Sequence, residues 1–167
     1  AGIGATAATA RLIGGPRTGF IAAVTLAVCG PWLGAMFNHT KDIPFAAAMI
    51  GAIYFLLRIA RDLPAARWRH VLGFGLLLGA ALGLRVMGLL LVGYAGIAVL
   101  LAAAAAPGAE RINVLLRSAV RLMPAFALGY LIMIAFWPWA AQSPLNPLRA
   151  IVSFADFHYQ IRTIFAD

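Results

Sequence analysis

Five consecutive residues, Asn38-His39-Thr40-Lys41-Asp42, bring together an amide, an imidazole, a hydroxyl, an ammonium and a carboxylate between two long apolar runs. Ionisable groups at membrane depth are costly and are rarely kept without a task. This stretch, closed by Ile43-Pro44-Phe45, is where an enzyme embedded in a membrane would put its chemistry. A second candidate lies farther along, in Gly83-Leu84-Arg85-Val86-Met87-Gly88, whose glycines permit a bend around a lone arginine. The planar guanidinium of an arginine at such a bend suits bidentate grip of a phosphate.

Each candidate has a plainer reading beside the chemical one. Asp42, two residues ahead of Pro44, suits the cap of a helix, because its carboxylate accepts orphan amides and proline fits the first turn. That leaves His39 and Lys41 without a purpose, and a capping carboxylate still has a second oxygen to offer a substrate. Arg85 in turn suits a residue snorkelling from a helix end to the membrane surface. Both pairs of readings stay open at this level.

The elements that must position these residues follow from composition. Hydrophobic residues make up 63% of the 167, only 11% are charged, and mean hydropathy is +0.93, which identifies an integral membrane protein. A spanning helix needs roughly 20 apolar residues, so the length allows about six spans. The expected fold is all-α, a polytopic transmembrane helical bundle whose first span is truncated, with short re-entrant or interfacial outer loops. The net charge of +8 does not indicate nucleic acid, because the arginines are scattered between apolar runs and form no basic face. The charge reads as topology, with the lipid bilayer as partner. Cys29 is the only cysteine; it excludes an internal disulfide and reads as small apolar filler. Gly2-x-Gly4 and Gly73-x-Gly75 lack the strand and acidic partner of a dinucleotide site, and no phosphate loop, His-x-x-x-His or Gly-x-Ser-x-Gly arrangement is present.

Six apolar segments are expected: about 1–10, 18–33, 44–59, two within 71–106 divided at Arg85 and Gly88, and 119–139. Residues 1–10 have no basic lead and read as the tail of a severed helix rather than a signal peptide, so the chain is expected to be an internal piece of a longer protein. Loops 11–17, 58–70 and 107–121 hold nine of the thirteen basic residues, which makes them cytoplasmic. The polar stretch, Arg85 and the tail from 140 then share the opposite side. Trp137 and Trp139 fit an aromatic belt there and Trp68 fits one at the inner face. Gly75, Gly79 and Gly83, four residues apart on one helical face, predict close packing against another helix.

The runs Met36 to Phe45, with its Lys-Asp-x-Pro-Phe element, Gly79 to Arg85, with its Gly-Leu-Arg turn, and Trp137-Pro138-Trp139 resemble the bacterial branch of the GT-C glycosyltransferases, similar to protein O-mannosyltransferases and lipid A aminoarabinose transferases. The resemblance covers nearly the whole chain and implies a membrane enzyme that moves a sugar, with inversion, from a polyprenyl-phosphate-linked donor to a protein, lipid or glycan acceptor. It implies a multi-pass protein of the bacterial inner membrane with its active site facing the periplasm or exterior, residues 1–139 being the helical module and 140–167 an incomplete extracytoplasmic segment. It further implies that the general base lies in an outer loop ahead of Ala1, so that this piece alone is inactive. Asp42 then corresponds to an acidic residue that organises the acceptor or a divalent metal ion, the one cofactor expected. Lys41 and Arg85 correspond to basic positions near the carrier phosphate. Asn38, His39, His158 and Arg162 are further candidates, the last two in a tail, Phe154 to Arg162, that corresponds to a mobile loop over the carrier. The competing reading is half of a membrane transporter or a non-catalytic scaffold, since broken helices and a mid-membrane arginine also serve transport. An inverted repeat, which a transporter of that kind predicts, is not evident between 1–70 and 71–139.

Overall fold

The computed structural model describes residues 1–143 and 145–155, and every regular element among them is helical. Eight α-helices follow in order: α1 (Gly2–Ala27), α2 (Gly30–Asn38), α3 (Asp42–Asp62), α4 (Trp68–Leu84), α5 (Leu90–Ala105), α6 (Arg111–Phe136), α7 (Pro138–Ala141) and α8 (Asn146–Ala155). Short 3-10 turns at Val86–Leu89 and Gly108–Glu110 precede α5 and α6. The expected apolar segments are largely helical, with 18–33 broken at Val28-Cys29 and 119–139 at Trp137. Asp42–Asp62, Val86–Ala105 and Gly108–Phe136 are each long and apolar enough to cross a membrane, and α4 is a shorter apolar helix.

The first departure from expectation concerns residues 11–17. The sequence suggests a seven-residue loop, but the helix continues to Gly14 and reverses at one residue, Gly15, whose φ of 86° and ψ of −175° are non-helical. A side chain there would be strained, and Pro16 next supplies the pre-set φ of a helix start. The two arms of α1 lie against each other: a Cβ on Gly19 would sit 2.8 Å from the Ala7 carbonyl oxygen, whereas twelve residues of straight helix span about 18 Å. One glycine therefore does the work of the loop.

The second arm ends at Ala27 because Pro31 lacks an N–H and its ring would clash with the carbonyl four residues back. The chain restarts as α2, with Cys29 at the helix break rather than inside a span. Both helices flanking the polar stretch reach further into it than expected. Asn38 ends α2 and Asp42 opens α3, so only His39-Thr40-Lys41 lies outside helix.

The centre of the bundle is the seam between α4 and α6. Cβ atoms added at Gly75 or Gly79 would lie 2.6 Å from the carbonyl oxygens of Ala125 and Gly129 respectively, and one at Gly83 would meet Phe136 at 3.4 Å. The predicted glycine face thus brings two backbones into contact, the usual means of helix association where lipid removes the hydrophobic drive. Phe74, Leu78, Ile59, Leu91 and Leu122 are fully buried around this seam, while Ile97, Leu101, Val120 and Met123 are exposed and face outward as lipid-facing side chains do. The register of glycines 75, 79 and 83 against 125, 129 and 136 also makes α4 and α6 run parallel.

The three arginine-rich segments meet at one end. Arg61 donates to the Leu12 carbonyl, joining the turn of α1 to the end of α3. Arg121 Nε donates to the Ala66 carbonyl at 2.7 Å and its guanidinium lies 3.8 Å from the Trp68 ring centre, joining α6 to the start of α4. The loop expected over 107–121 is helical from Arg111 onward, carrying the basic turns of α6 beyond the apolar span.

Candidate functional site

The opposite end is built on two interruptions of helix. At the first, α2 stops with the His39 amide bonded to the Ala35 carbonyl, and α3 begins three residues later with Asp42 in its first turn. At the second, α4 stops at Leu84 and Arg85 adopts extended backbone, φ −151° and ψ 142°. The Arg85 amide still bonds the Ala81 carbonyl, and its own carbonyl accepts from Gly88. Gly88 is needed here because a Cβ would lie 2.8 Å from the Leu82 nitrogen. The 3-10 turn can therefore fold back against the end of α4, and Arg85 stands at the corner.

From that corner Arg85 Nη2 hydrogen-bonds and ion-pairs with Asp42 Oδ1, across 43 residues of sequence. The second carboxylate oxygen, Oδ2, lies 3.2 Å from His39 Nδ1. Asp42 thus bridges a guanidinium and an imidazole. Its carboxylate makes no capping bond to α3, so the helix-cap reading of Asp42 is set aside in favour of a long-range partner. The snorkelling reading of Arg85 is likewise incomplete, because its charge meets a carboxylate rather than solvent alone. Asp42 and Arg85 are 39% and 41% exposed, half-open to a ligand rather than sealed in the core.

Beside this pair is a cavity of about 400 Å³ lined by Lys41, Arg85, Gly83, Val86, Met87 and Trp137 among others. Lys41 and Arg85 thus bring two cations to one cavity with no carboxylate among the lining residues. Arginine carries five N–H donors and only Nη2 is spent on Asp42, so Nε and Nη1 remain for an incoming oxygen anion. The rest of the lining is apolar, with an indole from the junction between α6 and α7. Trp137 terminates α6, and its ring centre is 5.5 Å from that of Trp139. The sequence assigned Trp137 to an interfacial belt, and its place in the lining of the cavity with Lys41 and Arg85 adds it to the candidate residues. The one available signal was its place in the Trp-Pro-Trp element.

The other sequence candidates divide. His39 joins the site through Asp42. Asn38 is exposed at the last position of α2 and does not line the cavity. His158 and Arg162, with Asp156 to Asp167 as a whole, lie outside the described residues. For a divalent metal, the donor set at this corner is His39 and Asp42. Among the described residues no group of three or more His, Cys, Asp or Glu side chains comes together. These residues do not by themselves make a metal site.

Residues 2–141 match the sequence profile of a family described as dolichyl-phosphate-mannose-protein mannosyltransferase. No curated protein and no solved structure matches the chain.

Proposed function

The chain belongs to the dolichyl-phosphate-mannose-protein mannosyltransferase family, and from that premise we propose that its Asp42–Arg85 corner receives the phosphate of a polyprenyl-phosphate-linked sugar. The observation that carries the reading is the convergence of Arg85 and Lys41 on one cavity at the end away from the arginine-rich segments. In an inverting transfer the acceptor oxygen bonds to the anomeric carbon as the bond from that carbon to the phosphate oxygen breaks. The electron pair of the broken bond stays on the polyprenyl phosphate, and the acceptor proton passes to a base. That base is not assigned to any described residue. Arg85 and Lys41 would stabilise the charge gathering on the leaving phosphate, as fixed donors do for a developing oxyanion.

Asp42 acts in this scheme as a positioning residue. By holding Nη2, and being held in turn by His39, it fixes the plane of the guanidinium before the donor arrives, and preorganisation of that kind lowers the cost of reaching the reacting geometry. This differs from an Asp42 that organises an acceptor or a metal through its remaining lone pairs. The apolar wall with Trp137 and Met87 is suited to the isoprenoid chain next to the phosphate.

Orientation is part of the same reading, with the Asp42–Arg85 corner on the extracytoplasmic side of a bacterial inner membrane, as the arginine bias implies. Full-length protein carrying single cysteines at position 40, 63 or 109 tests it in intact cells. An impermeant thiol reagent should label position 40 and spare the other two. Labelling at 63 with protection at 40 would reverse the topology and remove the outer site. A transporter half is the weaker reading, since the two broken-helix ends here meet through an ion pair that closes them on each other.

A further inference from the structure

We propose that the arginine-rich end carries a built site for the headgroup of an anionic phospholipid, between the α1 hairpin and α3. A cavity of about 700 Å³ opens there, with Arg11, Arg58 and Arg61 among its lining residues and no acidic side chain among them. Three like charges facing one space repel one another, and an anion between them would offset that repulsion.

The arginines are pre-positioned. Arg61 is tethered to the Leu12 carbonyl across the gap. Arg58 Nη2 donates to the Tyr54 hydroxyl at 3.2 Å, and its guanidinium lies 5.5 Å from the centre of the same ring. Arg58 Nε is buried and has no hydrogen-bond partner among the described residues, a desolvated donor of the kind that is costly to leave unmade. A phosphate oxygen in the cavity would satisfy it.

The rest of the lining favours a lipid over a free anion. Phe20 and Ala23 belong to the second arm of α1, and Ala7 and Ala8 to the first. Ala7 and Ala8 lie about one helical turn from Arg11 in the direction away from the Gly15 reversal. The cations therefore sit at the membrane surface and the apolar wall descends into the hydrocarbon, which matches a phosphodiester with its acyl chains below it. Basic pockets between spanning helices bind anionic headgroups for this reason. The proposal needs only the membrane-spanning bundle and does not depend on sugar transfer.

The test is lipid retention by full-length protein extracted from vesicles of phosphatidylcholine containing a minor share of phosphatidylglycerol, with bound lipid identified by native mass spectrometry. Wild type should retain phosphatidylglycerol preferentially. Arg58→Gln and Arg61→Gln should each lower that retention about fivefold, the effect of about one basic residue at an anionic surface. Arg117→Gln, an exposed arginine of α6 outside the cavity, should leave it unchanged. Ala23→Phe keeps all three arginines and fills the apolar wall, so it should also reduce retention even if an arginine variant fails to fold. Equal retention of the two lipids by wild type would overturn the site, and so would an Arg117→Gln loss equal to that of Arg58→Gln, or undiminished retention in Ala23→Phe. Displacement of the lipid by inorganic phosphate would overturn the lipid assignment in favour of a free-anion site.

Discussion

The two ends of this bundle handle arginine in opposite ways. At the crowded end the cations are tied to backbone: Arg61 to Leu12, Arg121 to Ala66 and Arg111 to Ala106 each donate to a carbonyl near a helix end. The Ala106 carbonyl, at the end of α5, is one that a helix leaves unsatisfied and that carries partial negative charge, whereas that of Ala66 lies in the connection between α3 and α4. These bonds fasten the connections between helices and leave each arginine with its full charge. At the sparse end Arg85 is paired instead with a carboxylate, itself held by His39, beside a cavity that a second cation also lines. A carbonyl-bound arginine fixes structure, whereas a carboxylate-bound arginine at an open cavity is oriented for exchange with another anion.

Arg85 is the place where that contrast should break most sharply. In the full-length enzyme Arg85→Ala should nearly abolish use of the lipid-linked donor. Arg85→Lys keeps the charge and loses the planar fork, so catalytic efficiency should fall about ten- to hundredfold, corresponding to a charge-assisted bond of about 1.5–3 kcal/mol. Initial rates against donor concentration measure this, with melting temperature as the check on folding. Equal efficiency of wild type and Arg85→Lys would reject bidentate phosphate recognition, and a wild-type-like Arg85→Ala would remove Arg85 from the site.

Much of this arrangement was legible in the sequence. The apolar runs, the glycine face of α4, the bend at Arg85 and its place on the same side as Asp42 all follow from local pattern and charge bias. What was not legible was the choice of partner. Asp42 had its own helix amides within reach and took a guanidinium 43 residues away, because the α4–α6 seam and the Gly88 turn fix the corner from which Arg85 projects. Nothing within a few residues of Asp42 encodes that corner. The reversal at Gly15 was hidden for a related reason: a basic, glycine-containing stretch predicts a loop of some length, and only the contact between Gly19 and Ala7 shows that one residue suffices. Trp137 was read from composition as a belt residue, and its neighbours in space come from α4 and the turn after it.

Asp42→Asn sharpens the comparison with a smaller effect. Asparagine keeps the size and one acceptor for Arg85 but replaces the ion pair by a bond in which only the donor is charged, which holds the guanidinium less firmly. The guanidinium should lose its fixed plane, and kcat should fall about tenfold, equivalent to about 1.4 kcal/mol in the barrier. KM for the donor should not rise, because the variant also removes a competitor for Arg85. A residue that only caps α3 would show neither change, since asparagine caps about as well as aspartate. A rise in KM at constant kcat would instead mean that Asp42 contacts the donor or acceptor directly.

The smallest effect on transfer should come from the crowded end, and it separates fastening from chemistry most cleanly. Arg121 combines one charged hydrogen bond to Ala66 with a cation–π contact to Trp68, interactions worth about 1.5–3 and 0.5–1 kcal/mol in general. These do not add fully, because lipid headgroups and water can satisfy the freed Ala66 carbonyl and Trp68 ring in the variant. Arg121→Gln should therefore destabilise the protein by about 1–2 kcal/mol, seen as a lower melting temperature in lipid, while kcat and donor KM stay at wild-type values below that temperature. Arg121 lies in the basic part of α6, more than a dozen residues before the Trp137 junction, so α6 can loosen at its start without moving the cavity wall at its end. If Arg121→Gln lowered transfer as much as Arg85→Lys, the seam would be transmitting strain from one end to the other. The division between a fastening end and a reacting end would then have to be given up.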